Sequence, residues 1–77
     1  MIKMTILIDS VEKIRSFNRD IMQIEGDCDI VSGAYTIDAK SVMGLFSLDV
    51  SSPIKLIIHD DGADLSRIRR YETEDAE

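Results

Sequence analysis

The sequence has little of what catalytic and nucleic-acid sites are made from. A single cysteine, Cys28, can form no disulfide within the chain, which excludes a disulfide-stapled secreted scaffold. Tryptophan is absent and only two Tyr and two Phe are present, so there is no aromatic platform on which bases or sugars could stack. The one histidine, His59, has no second His or Cys at a metal-ligand spacing. Basic residues number 9 against 15 acidic, for a net charge of −6, and the one basic cluster, Arg67, Arg69 and Arg70, is offset by the acids that follow it. Phosphate backbones need clustered Lys and Arg, so a nucleic-acid partner is not expected. No apolar run approaches the length of a membrane span, and the apolar start, Met1 to Ile8, has no small-residue cleavage site. The expectation is a soluble, cytoplasmic protein.

Acidic pairs occur at Asp27 and Asp29 and at Asp60 and Asp61, with a further group at Glu72, Glu74 and Asp75. None follows the pattern of a calcium loop. Nor is there a glycine-rich phosphate loop or a Ser/His/Asp set in a recognisable context. The chain is therefore expected not to be an enzyme, with no metal and no cofactor. Cys28 alternates with Ile30 and reads as a small buried hydrophobe.

What the sequence does contain is periodic apolar patterning. Seventy-seven residues suffice for one domain, and a chain of this size buries only about 60% of its unfolded surface. Met4, Ile6 and Ile8 alternate within a first strand. Asp9 or Ser10 can cap the next helix, with Glu12 three residues after Asp9 as a weak capping box. Val11, Ile14, Phe17, Ile21 and Ile24 then form one helical stripe, closed at Gly26. Two short strands, Cys28 to Val31 and Tyr35 to Asp38, flank Ser32-Gly33, a pair suited to a hairpin. After a short helical segment, Pro53 introduces a strand in which Ile54, Leu56 and Ile58 share the buried side, leaving His59 on the opposite face. Leu65, Ile68 and Tyr71 support about two turns of a last helix, and residues 72–77 form an acidic tail without packed structure, so that the domain spans residues 1–71. The order strand, helix, strand, strand, helix, strand, helix suits an α+β domain with an antiparallel sheet and its helices on one face. Periodicity alone does not separate this from a ferredoxin-like split βαβ arrangement.

The middle of the chain carries the distinctive motif. In Lys40-Ser41-Val42-Met43-Gly44-Leu45-Phe46-Ser47-Leu48 a serine stands at the N-cap position of a very short, strongly apolar helix. A helix of two turns cannot bury Val42, Met43, Leu45 and Phe46 on one side, so part of this set should be exposed, and exposed apolar groups on a small monomer point to a partner. The segment resembles the regulatory serine site of HPr, the small phosphocarrier of the bacterial sugar phosphotransferase system, and Asp61-Gly62-Ala63-Asp64 adds to the resemblance. It implies an open-faced β-sandwich with a four-stranded antiparallel sheet in spatial order 1-4-2-3 and the element order βαββαβα, here with a shortened last helix.

The resemblance also implies a function. In that family a bifunctional HPr kinase/phosphorylase modifies the serine that Ser41 matches, and the phosphorylated form binds a transcriptional regulator of carbon catabolite control. Lys40 would lie beside the phosphate as counter-charge, and Val42, Met43, Leu45 and Phe46 would meet the partner. The carrier half of the chemistry is missing: the stretch that holds the phosphate-bearing histidine in the family is Asp9-Ser10-Val11-Glu12-Lys13-Ile14 here, a degenerate site in which Ser10 cannot hold a high-potential phosphoryl group and Asp9 and Glu12 repel one. A regulatory or adaptor relative of the carrier is the expected function. Two alternatives stand beside it: an interaction module that uses the apolar helix without phosphate, and a working carrier in which His59 or an unexpected group takes the phosphate.

Overall fold

The structure, a computed structural model, describes residues 1–74. The chain runs β1 (Ile2–Ile6), α1 (Val11–Ile21), β2 (Cys28–Ser32), β3 (Tyr35–Asp38), α2 (Val42–Ser47), β4 (Ile54–Ile58) and a 3₁₀ turn (Ile68–Tyr71). The strands form one sheet in the order β1-β4-β2-β3, every neighbouring pair antiparallel. This is the α+β arrangement and the strand order expected from the sequence.

Alternation explains how the sheet makes a core. On β4, Ile54, Leu56 and Ile58 are buried while Lys55 is exposed, and the register pairs them with Ile6, Met4 and Ile2 of β1. On the other side of β4, Leu56 faces Ile30 and Ile58 faces Cys28, both buried. The apolar row therefore continues across three strands. Onto it α1 sets Ile14, Phe17 and Ile21, and α2 sets Leu45. Each such side chain contributes about 1.5–3 kcal/mol on leaving water.

Several local expectations need correction. Ser10, not Asp9, caps α1: its Oγ accepts from the Lys13 amide at 3.1 Å, while Asp9 pairs with the Lys13 ammonium at 3.1 Å, so the capping box with Glu12 does not form. Val11, the first residue of α1, was expected in the apolar stripe but is 54% exposed, while Ile14, Phe17 and Ile21 are buried. The helix ends at Ile21, and Ile24 reaches the core from a turn that reverses at Gly26, whose φ of +86° suits only glycine. The β2–β3 connection is Gly33 and Ala34, one residue later than expected, and Gly33 supplies the positive φ of +60°.

The C-terminal part also differs. The last helix is a single 3₁₀ turn that buries Ile68 and Tyr71 and leaves Arg69 and Arg70 exposed between them. The chain then stays on the sheet: Glu72 bridges to Ile6, the Thr73 amide donates to the Thr5 carbonyl at 2.9 Å, and Leu7 donates to Tyr71 at 2.9 Å. Glu72 and Thr73 thus do not belong to an unpacked tail. Of the rest of that expected tail, Glu74 is exposed and residues 75–77 lie outside the described residues.

Tyr71 fastens this strap to α1. Its ring meets Phe17 edge-on at 5.4 Å, and its O–H donates to Asp20 Oδ2 at 2.8 Å, beside Ser16 Oγ at 2.7 Å. Asp20 is only 4% exposed, so this donor satisfies a carboxylate that water barely reaches. Tyr71→Phe should cost about 1–3 kcal/mol in urea unfolding. Burial pushes the Tyr71 phenol above its ordinary 10.0. A raised folded-state value means stability is fully present below the unfolded value and falls as pH rises through the folded one. Wild type should therefore lose stability as pH rises above 10 with a steeper slope than Tyr71→Phe, while the loss from Cys28, which burial raises from its ordinary 9.0, is common to both proteins.

Candidate interaction surface on the second helix

The backbone leaves β3 through a tight turn organised by Asp38. Its carboxylate accepts from the Lys40 amide at 2.9 Å and its carbonyl from the Ser41 amide at 3.0 Å. Ser41 is the extended N-cap of α2, with its Oγ accepting from the Gly44 amide at 3.2 Å and its carbonyl accepting from the Leu45 amide at 3.0 Å. Ser47 bonds back to the Gly44 carbonyl at 2.6 Å, and Leu48 returns to extended backbone. A Cβ on Gly44 would lie 3.2 Å from Ile37 Cδ1 and 3.4 Å from Ser41 Oγ, so the glycine lets α2 sit close to β3 with its cap in place.

The apolar set of α2 divides. Leu45 is fully buried, whereas Met43 is 78%, Phe46 44% and Val42 37% exposed. Three of the four apolar contact residues expected from the sequence are available to a partner. Leu45 is not, because its position within the single buried face of α2 commits it to the core. Ser41 is exposed, so its hydroxyl is within reach of a modifying enzyme.

Lys40 is placed differently from expectation. Its ammonium is bonded to the carbonyls of Ile24 and Gly26, the latter at 2.8 Å, where the chain leaves α1. The carbonyl of Lys40 accepts from the Asn18 side chain at 3.0 Å. The expected counter-charge for a phosphate on Ser41 is therefore engaged elsewhere. Asn18 was not foreseen as part of this region. Along α1 and its C-cap, Val11, Arg15, Asn18 and Met22 fall on one edge at helical spacings of four, three and four, and the bond to Lys40 places Asn18 beside the start of α2. Val11 and Met22, 54% and 55% exposed, add apolar surface on that edge. The only sign of this in the sequence is that Met22 falls off the buried stripe.

The remaining candidates sit apart from α2. Ser10 and Glu12 are exposed at the start of α1, where the Ser10 hydroxyl serves as a cap. His59 Nε2 lies 2.8 Å from Asp29 Oδ2 across the uncovered face of the sheet. A groove of about 420 Å³ opens between the end of α1 and the β4–3₁₀ connection, and another of about 490 Å³ lies on the uncovered face against Glu72 and Thr73; neither is lined by α2. Among the described residues no group of three or more His, Cys, Asp or Glu is placed to hold a metal ion, and no helix is long and apolar enough to cross a membrane. No family model, curated protein or solved structure matches the chain.

The division of α2 gives a direct expectation. Leu45→Ala should destabilise the fold by about 2–5 kcal/mol in chemical denaturation, as buried leucines do. Met43→Ala should stay within about 0.5 kcal/mol of wild type, because it empties no cavity.

Proposed function

We propose that this chain is a non-catalytic, HPr-like regulatory or adaptor domain that engages a protein partner through α2 and is switched by phosphorylation of Ser41. The observation that carries the reading is the adjacency of an exposed serine hydroxyl to Val42, Met43 and Phe46, apolar side chains left in solvent on a helix with one buried residue. Exposed apolar groups of this kind gain free energy when a partner covers them. A phosphate would add about −1.5 to −2 charge at the edge of that patch. Because Lys40 is bonded at the end of α1, the new charge would be left for a partner's Lys or Arg to read. The motif around Ser41 and the strand order support the family resemblance. The cytoplasm is the compartment in which such a switch would operate.

A second reading has its own support. The Ser41 hydroxyl already has work as the cap of α2, which would suffice to explain a serine at this position. On that reading α2 is a constitutive contact, indifferent to phosphate. A histidine phosphocarrier has weaker support, since Ser10 caps α1 and His59 stands beside Asp29, whose charge disfavours an incoming phosphoryl group.

Intact mass after incubation with ATP, Mg²⁺ and a bifunctional HPr kinase separates these readings. One added phosphate, lost in Ser41→Ala, is the expected result. An unmodified wild-type chain would leave Ser41 as a helix cap and α2 as a constitutive contact. Label that appears instead with enzyme I and phosphoenolpyruvate, acid-labile and independent of Ser41, would restore the carrier.

A further inference from the structure

The α2 helix has six residues, too few for its own hydrogen bonds to hold it, and its packing is confined to Leu45 in the core and Gly44 against Ile37, which leaves its start to be fixed by other contacts. What anchors its start is Lys40. The amide of this residue is held by Asp38 at the end of β3, its carbonyl by Asn18 in the body of α1, and its ammonium by the carbonyls of Ile24 and Gly26 beyond the end of α1. Carbonyls at and beyond a helix C-terminus lack intrahelical donors and carry partial negative charge, which a lysine answers on both counts. One residue therefore ties three elements together immediately before Ser41.

We propose that Lys40 is the positioning residue of the α2 surface: its bonds to α1 latch the start of α2 and so set how Ser41, Val42, Met43 and Phe46 are presented. With the latch open, α2 is a six-residue helix on a tether between β3 and β4, and it exchanges with unfolded forms without disturbing the sheet. The role of the latch in partner binding rests on the reading of α2 as a contact surface; the latch itself does not.

Amide hydrogen exchange by NMR on the full chain tests this without kinase or partner, so that its failure is separate from failure of the phosphorylation reading. In Lys40→Met, exchange at the Ser41 and Leu45 amides should speed up about tenfold to a hundredfold, the usual worth of charge-assisted bonds, while Ile30 and Leu56 in the sheet stay within about twofold of wild type. Lys40→Arg, which keeps charge and donors, should recover most of the protection. Asn18→Ala, which removes one bond and keeps the ammonium, should give the same localised pattern at smaller amplitude. Unchanged exchange at Ser41 and Leu45 in Lys40→Met would overturn the proposal. So would a uniform rise across α2 and the sheet, which would make Lys40 a general stabiliser with no positioning role.

Discussion

The pairing of β4 with strands on both of its sides is the constraint on which the rest of the molecule depends. Its register sets Ile54, Leu56 and Ile58 against the buried rows of β1 and β2, and a slip of one residue would turn all three outward and Lys55 inward. With that register in place the sheet offers one apolar face, and α1 has a place to bury Ile14, Phe17 and Ile21. The same pairing fixes β2, hence the hairpin to β3, hence the point at which the chain turns at Asp38 and starts α2. The location of Ser41 and its apolar neighbours is a consequence of strand register far from them in sequence.

Around this frame, charge and polar groups act mainly to fasten short elements. The buried carboxylate of Asp20 is satisfied by Tyr71, which holds the C-terminal strap across α1 while Glu72 and Thr73 pair with β1. Lys40 does the corresponding work for α2. Both elements are too short to be stable alone, and both depend on one long polar side chain reaching an element distant in sequence. The Tyr71 link is itself part of the core, against Phe17, whereas Lys40 makes its bonds at the margin of the domain.

The candidate surface follows from the same economy. A six-residue helix can turn one residue inward, and Leu45 takes that place, so Val42, Met43 and Phe46 remain outside. The sequence motif allowed the statement that part of this apolar set would be exposed, but not which part. Burial depends on how α2 meets β3 and α1, and that angle is set by Gly44 lying close to Ile37 and by the bonds of Lys40. For the same reason the residue read as a counter-ion for Ser41 proved to serve α1: sequence adjacency places two backbones together, not two side chains.

By itself the sequence indicated where the strands lie, through apolar residues at alternate positions such as Ile54, Leu56 and Ile58, the stripe of α1, and a serine cap before a short apolar helix. Spatial strand order came through resemblance, since periodicity left a ferredoxin-like alternative open. Tertiary structure alone decided the rest: which of two candidate residues caps α1, where α1 stops, that the last helix is one 3₁₀ turn, that Glu72 and Thr73 join the sheet, and which α2 side chains face water. The α1 cap is settled by a local bond from Lys13 to Ser10, but the others involve contacts between residues far apart in the chain, such as Tyr71 with Asp20 or Lys40 with Ile24, and local pattern carries no information about partners that only folding brings within reach.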